Sequence, residues 1–408
     1  MDKDLKHNFT WAITHEALWG FAFGLVSPWV LLPLALKALG GSARLGGLAA
    51  ALVFTGQGLL QAWSAIRLRP RWSDPRRAAW LHAPAVASTC LAGLWLLLSG
   101  GLSPAWRLAG LLAFATGHYF LLGMLIPQWL ACVSRCVPAS HRGRYFGAIY
   151  FTGAVGGVLG GLLGPRLAEL GGLRWGFGLA FCLAGLAQAI SASLVALYRP
   201  LAPRPKPHQG RVLPALAGLL RQARREPALG RSLLLLVVLT LAAAGYSLFT
   251  LALKERGVGE GWFSGYAALF NLGGMAGSLA LGWLTDHKGA RAAGRAAFGV
   301  LLATMALMLH PLPAVVGLAV FLGAGFFQSA FNVLSNLMLL ALGRREAPAR
   351  AAGLVNTLLA PVTALAPFLA GQLAGAWGYA AAFAAAMALC LAGLGLISLS
   401  PQLDKEPA

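Results

Sequence analysis

The chain has 408 residues, of which 58% are hydrophobic and only 11% charged, and its formal net charge is +20. This composition is too apolar for an ordinary soluble domain. The basic residues lie beside apolar segments and form no soluble face with interleaved aromatic rings, which argues against a nucleic-acid-binding protein. The composition therefore favours a protein that is embedded in a membrane.

Apolar segments recur along the whole chain, each near the roughly 20 residues that a helix needs to cross a bilayer. They lie at 10–36, 45–66, 79–99, 106–130, 145–165, 174–198, 231–253, 262–284, 294–310, 313–342, 353–375 and 378–399. We predict an all-α membrane protein with twelve transmembrane helices. The span at 294–310 is short, so Pro311 and Pro313 either lie in a turn or let the helix continue.

The basic residues are concentrated in every second gap between the spans. These gaps and the two ends hold 25 of the 32 Lys and Arg residues. They are the N-terminus, 67–77, 135–144, 199–231, 288–295, 344–350 and Lys405. Because basic residues resist translocation, we predict a multi-pass protein of the cytoplasmic (inner) membrane with both termini in the cytoplasm. Basic loops beside helix ends also predict contact with membrane lipids.

One long hydrophilic stretch, 199–230, divides the chain into an N-terminal six-helix bundle, 1–198, and a C-terminal six-helix bundle, 231–408. It begins as a Pro-rich tether, and its part from Leu213 to Arg225 has the pattern of an amphipathic surface helix. The segments that begin at Pro138 and Pro348 each place an Arg and small residues at the start of a helix. This echo at matched positions predicts two pseudo-symmetric halves.

The segment after span eight, from Gly282 through Asp286 and Gly289 to Arg291, resembles the Gly-x-x-x-Asp-x-x-Gly-x-Arg loop of the major facilitator superfamily. The resemblance covers essentially the full chain and implies secondary transport by alternating access. It also implies that Asp286 meets a neighbouring helix end and that Arg291 pairs with an acidic group, latching the cytoplasmic side. The counterpart, 64–74, lacks the Gly and the acidic residue at this spacing. We interpret the basic run 67–77 as an orienting loop only.

Glycine rows at four-residue spacing mark faces where helices approach closely. They are Gly153, Gly157 and Gly161, then Gly156, Gly160 and Gly164 in span five, and Gly273 with Gly277 in span eight. The resemblance implies that spans two, five, eight and eleven separate the halves, so we expect these rows there, either in static packing or as a sliding surface. Gly164-Pro165 partly matches the family's antiporter signature and favours export.

Glu16 is the only carboxylate inside a predicted span, and an ionised group in hydrocarbon costs several kcal/mol. Two hypotheses are open: Glu16 carries the coupling proton, or it forms an ion pair with a loop residue such as Arg135 or Arg142. His118 in span four is a second candidate for proton coupling, with a packing role as the alternative.

Gln328, Asn332 and Asn336 lie on one stripe of span ten, where amides are poorly suited to face lipid. They are expected to face a cavity or to form hydrogen bonds across helices. The resemblance implies that spans one, four, seven and ten line the central path. The candidate cavity residues are therefore these three amides with Trp19, Phe23, Tyr119, Tyr246 and Thr250.

The leading hypothesis is a monomeric secondary transporter that exports a small apolar or amphipathic compound in exchange for protons. The alternatives are uptake of a neutral polar metabolite such as a sugar, lipid translocation, and a non-transporting membrane sensor or enzyme. The sequence has no GxxxxGK[ST] loop and no catalytic cluster. We therefore expect no enzymatic activity, no cofactor and no metal, and we interpret Cys132 and Cys136 as packing residues.

Overall fold

The computed structural model describes residues 2–67, 70–204, 210–311, 313–343 and 348–399, with the backbone alone at 70, 139, 143, 331–343, 348–349 and 351. Within these residues the regular structure is helical. The α-helices are α1 Lys3–Leu25, α2 Leu31–Ala38, α3 Ala43–Leu59, α4 Gln61–Ile66, α5 Pro75–Leu98, α6 Pro104–Cys136, α7 Arg142–Gly171, α8 Phe177–Val195, α9 Val212–Arg225, α10 Pro227–Ala243, α11 Phe249–Glu255, α12 Trp262–Lys288, α13 Ala290–Met308, α14 Ala314–Gly343, α15 Pro348–Trp377 and α16 Tyr379–Ser398.

Nine helical stretches within the described residues are long and apolar enough to cross a membrane. One of them, Arg144–Val195, has 52 residues and holds both α7 and α8. If this stretch is counted as two spans, and the first span (α1 and α2) and α14 are added, the total equals the twelve predicted spans. The predicted all-α membrane fold is confirmed, and the count of twelve spans is consistent with it.

The helices of span one and span seven are each interrupted by a short segment that is not α-helical. Helix α1 ends at Leu25, the chain turns through Ser27 and Pro28, and α2 resumes at Leu31. Pro28 has no amide hydrogen to continue the α1 ladder, which favours a break there. In span seven, a 3-10 turn at Ala244–Leu248 separates α10 from α11. These interruptions bring irregular backbone to the centre of the molecule, where other helices surround it.

The short predicted span nine is the helix α13, which ends at Met308. Pro311 and Pro313 lie in the connection to α14, so the turn interpretation is the one that the structure shows. Helix α9 and the first residues of α10 fall inside the predicted linker, and α9 packs against α4, α10 and α15. Leu219 is buried in that contact, whereas Leu213 is 78% exposed.

The start of α1, the linker and the end of α16 lie on one face of the molecule, here called the linker face. Arg199 donates a hydrogen bond to Asp4 at 2.5 Å, which joins the linker to the start of α1. Arg295 near the start of α13 lies 3.5 Å from the hydroxyl of Ser398. The loops between α2 and α3, α5 and α6, α7 and α8, α11 and α12, and α13 and α14 lie on the other face, here called the opposite face.

The two halves meet chiefly where α3 packs against α15 and where α7 packs against α12. At the first contact, a Cβ on Gly47 would lie 2.7 Å from the Cα of Gly371, so the two backbones touch. At the second, a Cβ on Gly161 would lie 2.9 Å from the carbonyl carbon of Ala267, and Gly157 contacts Asn271. Small residues therefore allow close approach of the halves at both places.

The remaining predicted glycines pack inside one half, which corrects the expectation that they lie between the halves. A Cβ on Gly156, Gly160 or Gly164 would overlap carbonyl oxygens of α1, and a Cβ on Gly273 or Gly277 would overlap α14. The spacing marked surfaces of close approach correctly. It carried no information about which neighbouring helix covers each surface.

The close contact of α7 with α1 makes a stability prediction. Gly160→Ala would place a methyl group against the carbonyl oxygen of Phe21. We expect a loss of about 1–3 kcal/mol in the free energy of unfolding, because an overpacked site must shift backbone. Gly147→Ala on the same helix is the control, since its Cβ meets open space. Thermal unfolding in detergent should show destabilisation for Gly160→Ala alone; equal melting temperatures for the two variants would contradict this packing.

Candidate functional site

An aromatic cluster joins the two halves at the interrupted helices. The ring of Trp29, between α1 and α2, stacks on Phe54 of α3 with centroids 4.6 Å apart. From the other half, the rings of Tyr246 and Phe270 lie 4.8 Å and 5.5 Å from the Trp29 ring. Trp29 is only 8% exposed. The cluster therefore closes the space between the halves at this level.

Polar contacts reinforce this closure towards the opposite face. The hydroxyl of Thr250 donates a hydrogen bond of 2.6 Å to the carbonyl oxygen of Trp29. Nearer the opposite face, Lys37 of α2 forms an ion pair of 2.7 Å with Glu255 of α11. Both contacts connect span one with span seven, so they hold the halves together on this face.

Towards the linker face, the glycines of α7 and of α12 no longer contact the facing helix. One turn beyond Gly157, a Cβ on Gly153 would meet only atoms of Glu16 in its own half. Farther along, Gly147 of α7 and Gly282 of α12 each face open space. The halves therefore separate towards the linker face on the α7–α12 side, and the opposite face is closed. On the α3–α15 side the halves stay in contact at the linker face, because Gly353 near the start of α15 packs against Gln61 and Ala65 of α4.

Glu16 lies beside Gly153, between α1 and α7, and its side chain is 16% exposed. Its Oε1 atom lies 3.8 Å from Nε2 of His15. Among the described residues, no Lys or Arg lies within ion-pair distance of it. Arg135 instead pairs with Asp74, so it is not the partner of Glu16.

Arg142, the other cation considered for Glu16, is also engaged elsewhere. Its guanidinium donates to the carbonyl oxygen of Ser134 at 2.9 Å and to that of Val137 at 3.2 Å. It therefore satisfies the end of α6. Pairing of Glu16 with either arginine is not what the structure shows.

Buried histidines adjoin Glu16, and sequence reasoning singled out only part of this group. His15 places Nδ1 2.9 Å from the carbonyl oxygen of Ser191 in α8. Its ring lies 5.9 Å from that of His82 in α5, which lies 5.5 Å from Trp19. A histidine inside the apolar span three was the only sequence signal for His82, and nothing in the spacing linked it to His15.

His118 is not brought to Glu16. It is buried between α5 and α6, where its Nδ1 lies 2.9 Å from the carbonyl oxygen of Ala85 and 3.0 Å from the hydroxyl of Thr89. The ring of Tyr119 lies 5.2 Å away at nearly a right angle. These partners fit the packing interpretation of His118.

The other predicted cavity residues occupy several environments. Tyr246 is buried, and its hydroxyl donates a hydrogen bond to Oε1 of Gln328 across the second half. Trp19 and Phe23 are half-buried against the main apolar core. The side chains of Asn332 and Asn336 lie outside the described residues.

The predicted gating loop lies at the linker face, at the end of α12. Asp286 is exposed and, among the described residues, makes no hydrogen bond or ion pair. Gly289 has a φ of 85°, a conformation that favours glycine, and it ends the helix. Arg291 is half-buried at the start of α13.

Asp74, in the basic loop before α5, is a site residue that sequence reasoning missed. It accepts a 2.6 Å hydrogen bond from Arg135 at the end of α6 and a 2.8 Å bond from Arg204 in the linker. Arg135 also donates to the carbonyl oxygen of Ser73 at 3.0 Å. The loop therefore ties α5, α6 and the linker together, beyond the orienting role predicted for it.

The guanidinium of Arg204, and then that of Arg135, hold the pKa of Asp74 below its ordinary value. A lowered folded-state pKa stabilises the protein above the unfolded pKa of about 3.9, and this stability is lost as the pH falls through the folded value. We expect Asp74→Asn to cost about 2 kcal/mol in the free energy of unfolding near neutral pH, because Arg135 is left half-satisfied.

Melting temperatures as a function of pH test this prediction, with Asp4→Asn as the matched control. Asp4 pairs with the exposed Arg199, so its loss should cost less than about 1 kcal/mol. The deficit of Asp74→Asn should begin to shrink below about pH 4, where the carboxylate of the unfolded chain becomes protonated, and should disappear as the pH falls through the lower pKa of the folded state. A deficit that persists unchanged in acid would contradict the assigned role.

Two helical halves that cross a membrane and close on one face are a fold of membrane transport proteins. The sequence matches the Major Facilitator Superfamily model over residues 17–362. The chain belongs to the major facilitator superfamily. No curated protein sequence matches the chain.

Solved structures agree with this assignment at the level of the fold. A bacterial homolog of the human lysosomal transporter Spinster, inward-facing and unoccupied, has a TM-score of 0.67 with 14% identity over 100% of both chains. The human organic anion transporter MFSD10 has a TM-score of 0.66 and 18% identity, covering 97% of this chain and 100% of that one. A D-xylose-proton symporter has a TM-score of 0.65 and 14% identity over 99% of both chains.

Proposed function

We propose that this protein is a secondary transporter that works by alternating access. The observation that carries the proposal is that the interface is closed at the opposite face and open at the linker face on the α7–α12 side. Span one and span seven are bound together at the opposite face through Lys37 and Glu255, while Gly147 and Gly282 face open space near the linker face. A two-bundle protein with one side closed is one end state of such a cycle. In this state Asp286 is exposed, and closure of the linker face would bring it to a partner.

The coupling ion is proposed to be the proton, carried by Glu16. A carboxylate at this depth either holds a proton or needs a cation, and no described Lys or Arg supplies one. Its partial exposure, beside the place where α7 and α12 separate, gives it access to water from the linker face. The adjacent His15 is held by Ser191, and its Nε2 atom lies 3.8 Å from the carboxyl group.

The proposed substrate is a small apolar or amphipathic compound that is exported in exchange for protons. The groups at the centre are aromatic rings with few polar atoms: Trp29, Phe54, Phe270 and the Tyr246–Gln328 pair. Such a surface favours ligands that bury apolar area and satisfy one or two hydrogen bonds. Localisation in the inner membrane as a monomer surrounded by lipid, with the linker face and both termini in the cytoplasm, completes the proposal.

Uptake of a neutral polar metabolite is the second candidate function. It is favoured by the hydrogen bond between Tyr246 and Gln328, which a sugar hydroxyl could replace. Because a ligand stabilises the state that it binds, a thermal-shift screen separates the candidates. We expect lipophilic cations and other amphipathic compounds to raise the melting temperature and to exchange in proteoliposome counterflow. If sugars alone do so, export of apolar compounds is refuted; if no compound undergoes counterflow, the transporter proposal is refuted.

A further inference from the structure

A concave site lies at the linker face of the first half, away from the central interface. It is a cavity of about 590 Å³, bordered by the start of α5, the end of α8 and the first turns of α1. Its lining includes Arg76 and Arg77 from α5, Leu197 and Arg199 after α8, and His7 from α1. The candidate transport pathway uses none of these residues.

The cavity carries uncompensated positive charge. Arg76 and Arg77 are exposed and make no ion pair or hydrogen bond among the described residues. The one acidic lining residue, Asp74, is already bound by Arg135 and Arg204. Because these two arginines do not line the cavity, Asp74 is neutralised from outside it. The guanidinium groups of Arg76 and Arg77 therefore remain available for an anion.

The level of the cavity along the helices points to the membrane surface. Trp80 lies about one turn beyond Arg76 on α5 and is 77% exposed. Leu197, at the cavity wall, is 43% exposed. Exposed tryptophan beside arginine is typical of the boundary between headgroups and acyl chains. An anion bound here therefore has apolar protein surface beside it, which suits a lipid better than a soluble ion.

We propose that this cavity binds the headgroup of an anionic phospholipid. The guanidinium groups of Arg76 and Arg77 hold the phosphate, for which their planar donors are well matched. One acyl chain lies along the exposed faces of Trp80 and Leu197. The lipid thereby contacts α1, α5 and the segment after α8 together, next to the Asp74 cluster that ties α5 to the linker.

Native mass spectrometry of the purified full chain, titrated with phosphatidylglycerol or phosphatidylcholine, tests the proposal. Wild-type protein is expected to bind phosphatidylglycerol more tightly. Arg76→Gln with Arg77→Gln should weaken that binding about thirtyfold, the effect of two arginines beside anionic lipid. Arg224→Gln with Arg225→Gln removes the same charge from the exposed end of α9, outside the cavity, and should change the affinity by less than about threefold.

A measurement on the wild-type chain keeps the test independent of variant folding. Photoreactive phosphatidylglycerol is expected to crosslink to peptides within 71–80 and 196–204, and not preferentially to 211–225. Equal losses for the two double variants, no preference over phosphatidylcholine, or crosslinks mapped elsewhere would each overturn the site. Displacement of the lipid by millimolar glycerol 3-phosphate would show a soluble-anion site and overturn the lipid assignment.

Discussion

Glu16→Gln is expected to abolish substrate accumulation driven by a pH gradient while leaving counterflow intact. With a gradient of about one pH unit, exchange of one proton per substrate sustains about a tenfold concentration ratio, since one unit is worth about 1.4 kcal/mol. The amide cannot exchange the proton, so the variant should sustain no ratio. Counterflow needs only the change between two states, which Gln permits.

Glu169→Gln is the matched control for this experiment. Glu169 lies near the end of α7 at the opposite face and pairs with Arg166 at 2.5 Å. Its substitution by Gln therefore makes the same chemical change outside the proposed pathway. It should retain the full pH-driven ratio. If Glu16→Gln also retains that ratio, Glu16 is not the coupling group, although the protein remains a transporter. If counterflow disappears as well, Glu16 has a role in the cycle beyond coupling.

Covalent closure of the opposite face is expected to stop transport. Lys37→Cys with Glu255→Cys, in a background with the five native cysteines replaced by alanine, puts two thiols where the ion pair spans the halves. A short bifunctional maleimide should then reduce counterflow at least about tenfold, because a molecule held in one of two states cannot complete a cycle.

The second half offers a matched pair that should have no such effect. Lys254 near the end of α11 and Glu260 in the connection to α12 form an ion pair of 2.6 Å within one half. Crosslinking cysteines at these positions adds the same reagent without joining the halves. Transport that survives the crosslink between positions 37 and 255, or that is lost equally with the control pair, would argue against movement at this face.

The membrane fold was predictable from the sequence because its determinants are local. A run of apolar residues long enough to cross the bilayer predicts a span by itself. Pro311 and Pro313 likewise indicate, from the local sequence, that α13 ends close to Met308. The helix over Val212–Arg225 was also foreseen, since its amphipathic pattern is contained in the segment itself. The break after Leu25 was not predicted, because a proline such as Pro28 is tolerated inside a membrane-spanning helix and does not by itself mark a helix end.

The candidate site depended on long-range contacts, which spacing does not encode. Asp74 meets Arg135 and Arg204, which are 61 and 130 positions away along the chain. The sequence placed both arginines in basic orienting segments and offered Arg135 as a partner of Glu16, and nothing in it linked either one to Asp74. Gly156 and Gly157 are neighbours in sequence, yet one packs on α1 and the other contacts α12. The spacing predicted which face of each helix is closely packed, but only the three-dimensional structure shows which neighbouring helix packs against that face.

Distances between paired spin labels measure the central claim most directly. One pair, at positions 37 and 255, reports the opposite face; the other, at positions 144 and 288, reports the ends of α7 and α12 at the linker face. With a transported compound or a change of pH, the first distance should lengthen in the same molecules in which the second shortens. Two distances that stay fixed while transport proceeds, or that lengthen together, would contradict alternating access.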